Sequence, residues 1–162
     1  MASQRKGVRI LCRILFAIYI LAALYFLFFS EMLGRTDTSE NFRYNLTLFK
    51  EINRFWTYRE TLGFWTVFLN IAGNVLVFVP FGFFVPMMVK KGTYKNPFVV
   101  CSLAFLFSLF VELVQLFLKV GAFDIDDLLL NTAGAIAGYI LYFLFELVLR
   151  RRRRTKRRRK RR

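Results

Sequence analysis

Seven polar side chains stand at helical spacing in or beside long apolar runs: Asn70 and Asn74, Glu112 and Gln115, and Asp124, Asp127 and Asn131. Steps of three and four put such residues on one helix face. At membrane depth ionisable and amide groups are costly, so each is a candidate for function. Glu112 and Asp127, held in unlike surroundings, could divide general-acid and general-base roles. The amides could orient a polar headgroup. Asp124, Asp126 and Asp127 could offer oxygen ligands to a divalent cation, but the further ligands and turn glycine of a calcium loop are missing. The chain contains no His, which removes imidazole bases and His-ligated metals. No metal and no cofactor are expected.

Each candidate also has a plainer role. Asp124 and Asp127 precede an apolar run in a helix-capping pattern, where carboxylates are favourable in any case. Asn70, Asn74, Gln115 and Asn131 could serve only as hydrogen-bonding glue between helices, and Gly134 and Gly138 as a small-residue packing face. Pro80 and Gly82 would kink or loosen their helix. Glu146 lies four residues before Arg150, in position for a simple ion pair. Glu112 fits none of these well. It must be protonated, paired with Lys119, or wetted by a cavity.

The elements that carry these residues are apolar enough to cross a bilayer. Of the 162 residues 57% are hydrophobic, and mean hydropathy is +0.44, against about 45–50% apolar residues in a soluble domain. A spanning helix needs about 20 mostly apolar residues. Four such stretches are expected, at 14–30, 61–89, 97–118 and 128–149, making an all-α integral membrane protein. The first follows Arg5, Lys6, Arg9 and Arg13 but has no cleavage site after it, so it reads as an uncleaved anchor. Residues 1–13 form a basic N-terminus, 14–149 the four-span membrane domain, and 150–162 a polybasic, disordered tail.

Charge sets the direction. Four basic residues in 5–13, three in 90–95 and twelve in 150–162 would lie in the cytoplasm; six lie outside with eight carboxylates. Basic loops favour the cytoplasmic side, giving N-in/C-in. The net charge of +15 is then an orientation signal. The tail would touch anionic headgroups; nucleic acid is not an expected partner. In the outer loop, 31–62, Phe49, Ile52, Phe55 and Trp56 recur at helical spacing, which predicts a short interfacial helix. Asn45-Leu46-Thr47 fits a glycosylation sequon, a pattern common by chance. With this direction all three polar clusters lie between the outer surface and the midplane. A shared, outward-opening ligand pocket of Asn70, Asn74, Glu112, Gln115, Asp124, Asp127 and Asn131 follows.

The string Asn74-x-x-x-Phe78-x-Pro80-x-Gly82, then Glu112-x-x-Gln115, then Asp124-Ile125-Asp126-Asp127 and Asn131-x-x-Gly134 resembles the VanZ-like family. Phe29-Ser30, Gly34-Arg35 and Asn45-Leu46 to Phe49-Lys50 are similar to its outer loop. Leu48 stands where many members have Pro, and Lys119–Phe123 where some have an Arg. The resemblance implies a bacterial cell-membrane protein, in a family named for lowered sensitivity to the lipid-tailed glycopeptide teicoplanin. The expected partner is thus an amphiphilic antibiotic or a lipid-linked wall precursor. The alternatives are a membrane-embedded enzyme using Glu112 and Asp127 on such precursors, and a small proton-coupled exporter.

Overall fold

Among the described residues four helices reach the length that a bilayer demands. The computed structural model describes residues 2–33, 42–89 and 95–159. Within it α1 spans Ala2–Leu33, β1 Tyr44–Asn45, α2 Lys50–Thr57 and α3 Arg59–Leu62. Then come α4 at Phe64–Met88, α5 at Pro97–Phe117, β2 at Phe123–Asp124 and α6 at Ile125–Arg159. The apolar portions are Gly7–Phe28, Phe64–Met88, Pro97–Phe117 and Ile125–Arg152. Even the shortest of them, the 21 residues of α5, measures about 31 Å at 1.5 Å per residue, enough for a hydrocarbon core of about 30 Å. Large apolar side chains such as Leu21, Phe98, Phe110 and Phe143 stay exposed on the bundle's outside, where lipid takes the place of water. Residues 34–41, Lys90 and Lys91, and 160–162 lie outside the described residues.

The order of packing follows from side-chain size. Helix α6 is the central partner, lying against both α4 and α5, while α1 packs on α4. The α4–α6 crossing is built on glycine. A Cβ placed on Gly134 would sit 2.0 Å from the Val75 carbonyl oxygen, one on Gly138 1.9 Å from that of Val79, and one on Gly82 1.9 Å from that of Ala135. Small residues four apart let two backbones approach this closely, which matters in lipid because burial alone does not drive helices together. Gly82 therefore serves the interface. Around this crossing Phe78, Phe81, Val85, Val100, Ala104 and Val111 form the core with Leu27 and Ala135, and Phe16 of α1 meets the Phe81 ring edge-on at 5.7 Å.

Helix α4 continues unbroken through Pro80 and Pro86. Neighbouring helices can re-satisfy backbone groups near a proline in a membrane, and the Tyr19 hydroxyl donates to the Val77 carbonyl at 2.7 Å. The polybasic tail departs from the expected disorder, since α6 runs on as one helix to Arg159. Arg and Lys are good helix formers, and Glu146 ties the helix to Arg150 at 2.5 Å one turn later.

The interfacial helix expected from the spacing of Phe49, Ile52, Phe55 and Trp56 is α2, followed directly by the single turn of α3. The segment before it joins the bundle through a two-residue parallel pair, Tyr44 opposite Phe123 and Asn45 opposite Asp124. This pair sets the position of the candidate site residues.

Candidate functional site at the loop end of the bundle

Construction begins at the first turn of α6. Asp124 precedes Ile125 and accepts the Asp126 N–H on Oδ1 at 2.8 Å, the bond a capping Asp makes to the second residue of its helix. The same oxygen accepts from Asn45 Nδ2 at 3.1 Å. The Asp124 N–H in turn donates to Glu112 Oε2 at 3.0 Å. Glu112, on α5, is thus held by a backbone bond from β2, at the residue that precedes α6. Parallel pairing of β1 with β2, with Phe123 N–H donating to the Arg43 carbonyl at 3.0 Å, brings Asn45 into range.

Asp126 caps a different helix. Its Oδ1 accepts the Phe49 N–H at 2.5 Å, and its Oδ2 accepts those of Glu51 at 2.9 Å and Ile52 at 3.3 Å. Phe49 precedes α2 and supplies no side-chain cap of its own. The orphan amides of that first turn are satisfied instead by a carboxylate about 75 residues later. The macrodipoles of α2 and α6 both present their positive ends here, which favours the collected negative charge. Phe49 has a left-handed backbone, φ 63°, a costly conformation for a bulky residue. Three bonds to one carboxylate hold the turn that contains it.

The third bridge joins α4 to α6, where Asn74 Nδ2 donates to Asp127 Oδ1. One turn deeper Asn131 Nδ2 donates to Ser108 Oγ at 2.8 Å, leaving Asn131 Oδ1 buried without a protein partner. Gln115 reaches across to α1, donating to the Leu27 carbonyl at 3.1 Å.

Six of the seven residues singled out by spacing, Asn74, Glu112, Gln115, Asp124, Asp127 and Asn131, therefore lie on inter-element hydrogen bonds at or below the loop end. Asn70 does not join them: it is exposed and donates to Thr66 of its own helix at 2.7 Å. The Lys119 ammonium lies 5.4 Å from the centre of the Phe42 ring. Helical spacing does not reach two members of the network. Asn45 is buried and doubly engaged, since its Oδ1 also accepts the Thr47 N–H at 3.1 Å. Asp126 stands beside the stripe of Asp124, Asp127 and Asn131, yet it is 1% exposed and organises the loop. The signal in the sequence that contains both is the resemblance to the VanZ-like pattern.

Electrostatics distinguish the carboxylates. Burial pushes the Asp124 carboxyl above its ordinary range; the charge of Asp126 adds to this, while bonds from the Asp126 N–H and Asn45 oppose it. Among the described residues no group of three or more Cys, Asp or Glu is placed to hold a metal ion. Chemically, the arrangement is a set of fixed carboxyl and amide groups beneath an amphipathic loop.

The VanZ/LLP1 family model matches residues 16–146, a span that holds every member of this network. Over 75 residues the chain is 32% identical to Protein VanZ of Enterococcus faecium, which covers 46% of this chain and 45% of that protein. The chain thus spans less than half the length of the curated relative it matches. No solved structure matches it. With four helices fit to span a membrane and the family's pattern along most of its length, this chain is a multi-pass membrane protein that belongs to the VanZ/LLP1 family.

Proposed function

We propose that the protein sits in the bacterial cell membrane with both termini and the Arg-rich end of α6 in the cytoplasm. There it lowers sensitivity to lipid-tailed glycopeptide antibiotics by engaging an amphiphile at its outer, loop-bearing end, without turning it over. The basic end of α6 touches anionic headgroups. Family membership supports the envelope setting. The observation that carries the mechanism is the joining of Asn45, Asn74, Glu112, Asp124, Asp126 and Asp127 beneath α2. Asn45, Glu112, Asp124 and Asp126 are buried and hold the arrangement, and the half-buried Asn74 and Asp127 are the groups that a bound headgroup would reach.

The same bonds favour binding over catalysis. Glu112 accepts the Asp124 backbone N–H and Asp127 the Asn74 side-chain amide, so each carboxyl group is held in place by a neighbouring element, as a binding surface requires. The expected phenotype is reduced surface labelling by a fluorescent lipid-tailed glycopeptide when a susceptible host expresses the chain. Unchanged labelling together with unchanged growth inhibition would sink the reading.

A further inference from the structure

Away from the polar network, a groove of about 420 Å³ opens between α2–α3 and the first turns of α4. Its interior is formed by Phe64, Val67, Phe68, Ile71 and Ala72 of α4 and by Trp56 of α2, and Arg59 and Glu60 of α3 stand at its mouth. None of the six bridging polar side chains lines it. The volume falls within the ~300–1,000 Å³ of ordinary ligand pockets.

Three features define what would fill it. First, the interior is apolar and lies on a spanning helix, so water is a poor occupant. Second, from Phe64 to Ala72 the helix descends about 12 Å, within the depth of a single leaflet's hydrocarbon, about 15 Å. Third, the mouth carries a pre-positioned cation. Arg59 Nη1 donates to the Trp56 carbonyl at 2.9 Å and the guanidinium lies 5.2 Å from the centre of the Trp56 ring. Its other terminal nitrogen is 3.9 Å from Glu60, whose side chain is 89% exposed, so the guanidinium keeps donors for an oxyanion. Arg54, by contrast, is already paired with Glu51 at 2.6 Å.

We infer that this groove is a lipid site: one acyl chain of an anionic phospholipid lies along α4, with its phosphate at Arg59. The inference deepens the amphiphile reading above and rests on it for placing this end of α4 at a membrane surface. It names a ligand and a site separate from the polar network.

The two tryptophans of the chain, Trp56 and Trp65, make the test direct. Both indoles are largely exposed, but Trp56 lines the groove while Trp65 lies outside its lining. Trp65→Phe leaves Trp56 as sole reporter, and Trp56→Phe leaves Trp65 as reference. Each full-length variant is placed in phosphatidylcholine bilayers containing a minor fraction of phosphatidylglycerol with brominated chains. Bromine quenches indole on contact. Trp56 is expected to be quenched several-fold beyond the mole fraction of brominated lipid and to saturate, whereas Trp65 follows the mole fraction. Ala72→Phe, which fills the groove, should return Trp56 to proportional quenching. Arg59→Gln should remove the preference for brominated phosphatidylglycerol over brominated phosphatidylcholine.

Trp56 quenching that only follows the mole fraction would overturn the inference. So would Trp56 shielded from both lipids, which would mean a protein segment fills the groove, and so would a preference that survives Arg59→Gln. No antibiotic enters the assay. It can therefore fail while growth protection persists, and protection can fail while the lipid site stands.

Discussion

Asp126 Oδ1 accepts the Phe49 N–H at 2.5 Å across 77 residues of sequence, so the carboxylate that opens the fourth spanning helix also fixes the left-handed residue that opens the loop helix. Removing it tests this clamp. Asp126→Ala should cost about 3 kcal/mol, since it leaves three amides without a charged acceptor. The loss should be local first. Amide exchange at Phe49, Glu51 and Ile52 should accelerate more than tenfold, roughly the effect of 1.4 kcal/mol or more, while the middle of α5 stays protected.

Asp124 should impose a pH dependence. Its carboxyl is raised, chiefly by burial, so the folded protein holds that proton more tightly than the unfolded chain does. The associated stability is full below the ordinary carboxylate value of about 3.9 and is lost as pH rises through the higher folded value. Asp124→Asn keeps an oxygen for Asn45 and the Asp126 N–H but removes the titration. Thermal unfolding in detergent at stepped pH should show that part of the wild-type decline missing in the variant. Parallel profiles would refute the assignment.

The glycines of the α4–α6 crossing are not equivalent to those elsewhere. Gly134→Ala would press a methyl carbon into the Val75 carbonyl and should destabilise by about 2 kcal/mol or more. A Cβ on Gly73, four residues after Leu69 on the same helix, meets nothing within 4 Å. Gly73→Ala should be neutral or stabilising by up to about 1 kcal/mol. Melting temperatures of the two purified variants decide the matter.

Ser108 and Asn131 should behave as a pair. Ser108→Ala strands the Asn131 amide in the core, at a cost of about 1–3 kcal/mol. Asn131→Leu in the same background should recover much of this, because replacing both partners by apolar groups removes the unmet demand. A double-mutant cycle on unfolding free energy reads the coupling.

How far these features were legible in the sequence depended on their range. Uncharged runs announced the four spans because length and polarity are local properties, and the spacing of Phe49, Ile52 and Trp56 announced α2 for the same reason. The stripes Glu112–Gln115 and Asp124–Asp127–Asn131 were readable because helical steps put them on single faces. What joins those stripes was not. The β1–β2 pair is two residues long, too short for any alternation to register. The use of Asp126 to cap a helix from far along the chain leaves no local pattern either. The start of α6 at Ile125, earlier than the apolar run at 128, follows from Asp124 acting as its cap. Asn70 shows the converse, since sharing a face with Asn74 does not fix depth of burial, and it spends its amide on its own helix.

The central claim is that the polar network at the loop end carries the protective function. Its most direct test is the inhibitory concentration of a lipid-tailed glycopeptide against a susceptible host expressing the chain, Glu112→Gln or Asp127→Asn at matched membrane levels. Gln keeps an acceptor for the Asp124 N–H and Asn keeps one for Asn74, so both variants should fold. Wild type should raise the inhibitory concentration several-fold and both variants should abolish most of that rise. Variants that protect as well as wild type would contradict the account.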